Sequence, residues 1–122
     1  MKGTRILVVD NDDVTLLTVK AMLEGEGYEV RAAASALEAN QHIYGDETPD
    51  LILLDVMMPF LDGLKKTAFL KEREKSRGIP VLLMSSKPKR ELEELAKSSG
   101  ADGCITKPIT PGALLAAITR HL

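Results

Sequence analysis

The sequence predicts an α/β domain in which helices cover both faces of a five-stranded parallel sheet. Five short apolar segments alternate with five longer amphipathic ones along the 122 residues, the order expected of (βα)5 units. Three of the apolar segments show no period-two alternation, which is typical of strands buried on both faces. Consecutive parallel strands need right-handed crossovers, so the helices fall on both sides and the sheet is doubly wound.

The five apolar segments are the predicted strands. LVV, LILL and VLLM, within the first, third and fourth segments, are apolar throughout and belong at the centre of the sheet. YEVRA, within the second segment, alternates and therefore indicates an edge strand. The segments are RILVVD, YEVRAAA, LILLD, PVLLMSS and GCIT, which begin at residues 5, 28, 51, 80 and 103.

The amphipathic segments are the predicted helices, and several of their ends carry a characteristic residue. Gly25 and Gly27 end the first helix and Gly100 ends the fourth, because glycine is common just past a helix C-terminus. Thr110 followed by Pro111 is typical of an N-cap and the first helical residue. The predicted helices cover residues 14–26, 35–44, 61–75, 89–98 and 111–122.

The composition excludes several classes of function. The 16 Lys and Arg residues and 18 Asp and Glu residues are mixed along the chain, so no basic stripe indicates direct nucleic-acid binding. The sequence has no run of about 18 apolar residues and no apolar N-terminal signal, and the single Cys104 excludes an intramolecular disulfide. We therefore expect one cytoplasmic domain over residues 1–122, with no membrane contact.

Polar residues stand where four of the predicted strands end. Asp10-Asn11-Asp12-Asp13 follows the first strand, Asp55 ends the third, Ser85-Ser86 ends the fourth, and Lys107 follows the fifth. Each alone has an ordinary structural explanation as a turn residue, a helix cap or the start of a loop. In doubly wound sheets, however, ligands bind at the carboxyl ends of the strands. Their joint placement therefore predicts a functional site at this edge.

These residue types suit phosphoryl chemistry at a metal ion. Neighbouring carboxylates repel each other unless a cation lies between them, and Mg²⁺ takes one or two carboxylates together with water and phosphate oxygens. Asp10 and Asp55 are the predicted carboxylate ligands. An Asp carboxylate can also attack a phosphoryl group, so Asp55 is the predicted nucleophile, with Lys107 neutralising charge and Ser85 bonding a phosphoryl oxygen.

The motifs ILVVDND, LILLDVMMPFLDG, PVLLMSS and GADGCITKP resemble the receiver domain of two-component response regulators, in order and spacing over essentially the whole chain. The resemblance implies a flavodoxin-like sandwich with strand order 2-1-3-4-5 and one receiver domain over residues 1–122. It implies that Asp55 accepts a phosphoryl group from a sensor histidine kinase or phosphotransfer protein. Such a domain catalyses only its own phosphorylation and dephosphorylation, so we do not expect an enzyme with small-molecule turnover.

The same resemblance assigns the remaining roles at the site. Lys107 and Ser85 join Asp55 as catalytic residues. The Mg²⁺ ligands are Asp10, Asn11, Asp55 and the backbone carbonyl of Met57. The peptide bond from Lys107 to Pro108 is expected to be cis.

Two residues depart from the family pattern. Asn11 replaces an acid that usually binds Mg²⁺, and Cys104 replaces the Tyr or Phe that usually changes rotamer on activation. Asp12 is an alternative second ligand, although its place favours capping the first helix. The departures leave open a pseudo-receiver that acts as a protein-interaction module without phosphorylation.

A phosphatase or nucleotide-binding enzyme of the same architecture is disfavoured. The residue two positions after Asp55 is Met57 rather than an acid, and no Gly-rich phosphate loop follows the first strand.

The final helix is apolar on more than one face and indicates a surface for partners. Its large apolar residues are expected to line the core, which leaves a face of alanines that either contacts water or is covered. If it is covered, we expect a homodimer or an output domain on the face of helix 4, strand 5 and helix 5. The core residues are Leu114, Leu115, Ile118 and Leu122, and the alanines are Ala113, Ala116 and Ala117.

Overall fold

The computed structural model describes residues 3–59 and 61–122, so Met1, Lys2 and the Phe60 of the third-strand motif lie outside the described residues. Five parallel strands form one sheet in the order β2-β1-β3-β4-β5, which confirms the predicted fold class and strand order. A separate short hairpin pairs Met57–Met58 with Leu61–Asp62. The strands of the sheet are β1 (Arg5–Val9), β2 (Glu29–Ala33), β3 (Leu51–Asp55), β4 (Val81–Ser85) and β5 (Gly103–Thr106).

Five helices alternate with these strands, and several predicted caps are confirmed. Asp12 caps the first helix, because its side chain accepts a hydrogen bond from the Val14 N–H at 3.2 Å. Thr110 caps the start of the last helix, and Gly100 ends the fourth helix with a left-handed φ of 86°. The helices are α1 (Asp13–Glu24), α2 (Ala36–Ile43), α3 (Gly63–Glu72), α4 (Lys89–Ser99) and α5 (Pro111–Arg120).

Helix α3 is shorter than predicted at both ends. It begins at Gly63 rather than Leu61, because Leu61 pairs with Met58 in the hairpin and the Asp62 carboxylate accepts a hydrogen bond from the Leu64 N–H at 2.9 Å. It ends at Glu72 rather than residue 75, since the next residue has an extended backbone with ψ of 133°. Helix α1 likewise ends at Glu24, two residues before the predicted end.

The sheet separates two apolar layers, and β1, β3 and β4 lie at its centre. Apart from Arg5 at the start of β1, every residue of these three strands is buried. Strand β2 is an edge strand, as its alternation predicts, with Val30 buried and Arg31 exposed. The Arg31 guanidinium lies 3.2 Å from a carboxylate oxygen of Glu29 and 2.9 Å from one of Glu47.

Helix α5 packs on the sheet with fewer residues than predicted. Leu114 and Ile118 are fully buried and Leu115 is partly buried, whereas Leu122 is 52% exposed. The prediction that Leu122 lines the core is wrong because the helix ends at Arg120, before that residue. No helix within residues 3–59 and 61–122 has the length and apolar character to cross a membrane.

Candidate functional site

Two buried carboxylates and one lysine meet at the carboxyl edge of the sheet. Asp10 follows β1 and Asp55 is the last residue of β3, and they are only 1% and 6% exposed. The Lys107 Nζ, just after β5, lies 2.7 Å from Asp10 Oδ2 and 3.2 Å from Asp55 Oδ1. The structure thus brings together three of the residues that the sequence predicts for the site.

Ser85 ends β4 on the same edge and is tied to its neighbours through both side chain and backbone. Its Oγ accepts a hydrogen bond from the Lys87 N–H at 3.1 Å. Its carbonyl oxygen accepts one from the Lys107 N–H at 2.8 Å, which joins the ends of β4 and β5. Because Oγ is an acceptor in this bond, its own hydrogen is available to donate toward the edge of the sheet.

The electrostatics of the site show an excess of negative charge. Burial, followed by the charge of Asp10, raises the pKa of Asp55, although Lys107 opposes this. Burial alone would lower the pKa of Lys107, but the hydrogen bond to Asp10 and the charges of both carboxylates outweigh burial and raise it. One lysine cation therefore serves two carboxylates, and a further cation at this edge would be stabilised.

The oxygen donors that the sequence predicts at this edge are of the type that a hard cation such as Mg²⁺ binds. Of the predicted Mg²⁺ ligands, the carboxylates of Asp10 and Asp55 meet at Lys107. Asn11 directly follows Asp10 and has an exposed side chain, and Met57 begins the hairpin that follows Asp55. Within the described ranges no three His, Cys, Asp or Glu side chains form a cluster that could hold a metal, so a metal site here would need Asn11 and the Met57 carbonyl as further ligands. Two carboxylates suffice, because Mg²⁺ usually keeps several waters.

Asp12 takes part in capping rather than in this donor set. Its Oδ1 accepts from the Val14 N–H at 3.2 Å, and its Oδ2 accepts from the Thr15 hydroxyl at 2.8 Å. The hydrogen bond from Thr15 is the main cause that lowers the pKa of Asp12. The capping alternative is therefore the one that the contacts support.

Gly63 is a site residue to which the sequence analysis assigned no role. Its N–H donates to the Val56 carbonyl oxygen at 2.9 Å, and a Cβ added at position 63 would lie 2.4 Å from the Asp55 carbonyl oxygen. This close approach fixes the backbone that follows the site aspartate. The signal in the sequence is a glycine at the first position of a helix, where an ordinary helix former is expected.

The surface that the sequence predicts for partners contains a cleft around Cys104. The thiol is partly buried, and burial and then Glu93 raise its pKa, so the thiol is neutral at pH 7. The cleft has a volume of about 330 Å³ and is lined by α4, β5 and α5, including Ala113 and Ala116. The surplus alanine face of α5 therefore borders this cleft.

A family model for the response regulator receiver domain matches residues 6–119. The chain belongs to the response regulator receiver family. The peptide bond from Lys107 to Pro108 is cis, as the resemblance to this family implies.

Curated relatives extend over the whole receiver. This chain is 30% identical over 117 residues to the polar-differentiation response regulator DivK of Brucella ovis, and the match covers 96% of this chain and 94% of the relative. It is 36% identical over 119 residues to the CpxR homolog of Haemophilus influenzae, a transcriptional regulatory protein, covering 98% of this chain and 50% of that protein. Homologous receivers thus occur both at this length and within longer regulators.

Solved structures confirm the fold. A putative response regulator from Chloroflexus aurantiacus superposes with a TM-score of 0.90 at 30% identity, covering 98% of this chain and 97% of that one. The chemotaxis protein CheY4 of Vibrio cholerae superposes with a TM-score of 0.88 at 28% identity, covering 98% of each chain.

Proposed function

We propose that this receiver, formed by residues 1–122, is a phosphoacceptor switch of a two-component system and takes a phosphoryl group on Asp55. The donor is a sensor histidine kinase or a phosphotransfer protein, in keeping with membership of the receiver family. The observation that carries the proposal is the contact of Lys107 Nζ with both Asp10 and Asp55 at the carboxyl edge of the sheet. A carboxylate beside a fixed cation supports the proposal, because the cation can neutralise charge as the carboxylate attacks a phosphoryl group.

The proposed transfer moves one phosphoryl group between two side chains. An Asp55 carboxylate oxygen attacks phosphorus, the phosphorus–nitrogen bond of the donor phosphohistidine breaks, and the leaving imidazole takes up a proton. Lys107 stabilises negative charge as it develops on the phosphoryl oxygens. The Ser85 hydroxyl donates its hydrogen to one of those oxygens while Lys87 N–H holds its Oγ.

Mg²⁺ is the proposed cofactor. When bound by Asp10, Asn11, Asp55 and the Met57 carbonyl, it would neutralise charge between the acceptor carboxylate and the incoming phosphoryl group. The chain's own residues then orient the acceptor: Gly63 fixes the backbone at Asp55, and Lys107 holds the carboxylate. The domain catalyses only its own phosphorylation and dephosphorylation.

The output of the switch is a change in the α4–β5–α5 surface, where a homodimer partner or an output domain would bind. Lys107 N–H and the Ser85 carbonyl connect the site to β5, which lies in this surface. A phosphoryl group that engages Ser85 and Lys107 would shift the equilibrium of this surface through contacts that only the phosphorylated state makes.

Incubation with a small acyl phosphate and Mg²⁺, followed by intact mass measurement, tests the acceptor role. We expect one added phosphoryl group in the wild type and none in Asp55→Asn. Asp46→Asn is the matched control, because Asp46 is exposed and lies in the loop before β3, whereas Asp55 is at the other end of that strand. This variant should be phosphorylated like the wild type. A phosphoryl group that persists in Asp55→Asn contradicts the assignment.

The second candidate is a pseudo-receiver that binds partners without phosphorylation. Two residues favour it. Asn11 lowers the negative charge of the proposed metal site, and Cys104 lacks the aromatic ring whose change of rotamer would report activation. A wild type that gains no phosphoryl group at saturating acyl phosphate and Mg²⁺ would support this candidate.

A further inference from the structure

An apolar groove runs beside the site, between the hairpin that follows Asp55 and helix α4. Leu61 and Leu64 form one wall and Leu95 of α4 forms the other. Val56 and Met58 form the floor and belong to the buried core on this side of the sheet. The side chain of Met57 borders the groove and is 71% exposed, so an occupant would cover apolar surface that now contacts water.

The charged groups at the rim of the groove already have partners. The Asp62 carboxylate accepts the Leu64 N–H of its own helix at 2.9 Å. The Lys87 Nζ lies 3.5 Å from a carboxylate oxygen of Glu91. The rim thus carries charges of both signs, so neither an anionic nor a cationic ligand would meet a matching set of opposite charges, and the rim favours a neutral occupant.

The dimensions of the groove fit a small molecule. Its volume is about 640 Å³, within the range of roughly 300–1,000 Å³ that is usual for ligand pockets. We propose that this groove binds a small neutral molecule with an apolar body, aromatic or aliphatic.

The groove is also connected to the proposed phosphorylation site. Val56 and Met57 directly follow Asp55, and Lys87, at the rim, donates its N–H to Ser85 Oγ. If phosphorylation moves these residues, a ligand that contacts them will bind the two states of the switch with different affinities, and phosphorylation will change ligand affinity by the same factor. This coupling, unlike the binding itself, rests on the proposed function.

Titration with Prodan, a neutral naphthalene dye whose emission shifts in an apolar site, tests the binding. We expect saturable binding of one dye, and amide shift changes confined to residues 56–64 and 87–95 in nitrogen-15 spectra. Leu95→Gln should weaken binding at least about fivefold, since it makes one wall polar. Leu37→Gln is the matched control, because Leu37 is 69% exposed on α2 and does not line the groove.

Three results would overturn the site: no saturable binding, equal affinities for wild type and a folded Leu95→Gln, or shift changes centred elsewhere. Tighter binding of the anionic dye ANS than of Prodan would overturn the neutral class. Circular dichroism melts of both variants establish that they are folded.

A second titration on acyl-phosphate-treated protein tests the coupling. We expect the dissociation constant for Prodan to change at least about twofold on phosphorylation, and not to change in treated Asp55→Asn. Equal constants overturn the coupling. If intact mass shows no added phosphoryl group, both the proposed function and the coupling fail. The first titration alone then decides whether the groove binds a ligand.

Discussion

Gly63 lies so close to Asp55 that a Cβ at position 63 would be 2.4 Å from the Asp55 carbonyl oxygen. Carbon and oxygen cannot approach so closely, and the atom in the way is backbone, so Gly63→Ala must displace the chain that carries the acceptor. We expect the free energy of unfolding to fall by about 2 kcal/mol, as for other overpacked sites. We also expect the rate of phosphorylation by acyl phosphate to fall more than tenfold, measured by intact mass over time.

Gly112→Ala is the control for this substitution. Gly112 lies in α5, and an added Cβ there would meet nothing within 4 Å. Alanine is the better helix former by about 1 kcal/mol, so urea denaturation should show equal or higher stability. Equal stabilities for Gly63→Ala and the wild type would contradict the proposed close contact.

Asp55→Asn should stabilise the metal-free protein at pH 7. Burial, and then the charge of Asp10, raise the pKa of Asp55 in the folded state above the ordinary value of an aspartate. The folded state therefore holds this proton more tightly, and the free energy of unfolding falls as pH rises from the ordinary pKa of an aspartate through the higher folded-state pKa. Because asparagine cannot ionise, Asp55→Asn should not show this fall in the free energy of unfolding.

A pH series of urea denaturation measures this difference, with Asp46→Asn as the control and a chelator in every sample. The advantage of Asp55→Asn should be largest above the folded-state pKa and should vanish at pH values below the ordinary range of an aspartate. An advantage that instead grows as pH falls would show that Asp55 has a lowered pKa.

Asn11→Asp should bind Mg²⁺ about tenfold more tightly than the wild type, because ligand charge sets affinity at hard-cation sites. The same change adds a carboxylate beside Asp10 and Asp55 and should destabilise the metal-free fold. Isothermal titration with Mg²⁺ measures the first effect and urea denaturation the second. Asp13→Asn is the control, because it alters an exposed acid at the start of α1. Its affinity for Mg²⁺ should differ from that of the wild type by less than about twofold. Equal affinities of wild type and Asn11→Asp would exclude Asn11 as a ligand.

Ser85→Ala should weaken the effect of phosphorylation on the α4 region, whereas Cys104→Ala should leave it nearly intact. Ser85 Oγ accepts a hydrogen bond from the Lys87 N–H in the loop before α4. In the proposed function the same hydroxyl donates to a phosphoryl oxygen, so Ser85 would connect the site to that loop. The Cys104 thiol is too small to report activation by a change of rotamer in the way that a ring does. Amide hydrogen exchange of the free and phosphorylated forms of each variant measures these effects. If phosphorylation changes the exchange of residues 85–92 in Ser85→Ala as much as in the wild type, the coupling does not pass through Ser85.

The sheet could be predicted from the sequence because each strand carries its own signal. The buried runs of β1, β3 and β4 and the alternation in β2 fix which strands are central, and the resemblance to receivers supplies their order. The meeting of Lys107 with Asp10 and Asp55 follows from the shared edge of parallel strands.

The remaining features depend on contacts that a linear pattern does not contain. The start of α3 is set by pairing between Met58 and Leu61, a tertiary choice that competes with the helical periodicity of the segment. The role of Gly63 depends on the distance to Asp55, and glycine near an aspartate also fits an ordinary turn. Leu122 fits the apolar pattern of α5, but the helix ends before it.

The ion pairs of Arg31 with Glu29 and Glu47 have a consequence for self-association. Strand β2 is an edge of the sheet, and an unpaired edge is a template on which another chain can add a strand. An added strand would lie beside Arg31 and its two carboxylate partners and would partly remove these charges from water, which disfavours the pairing. This edge therefore resists aggregation through added strands, and concentrated protein should remain free of cross-β assemblies that begin there.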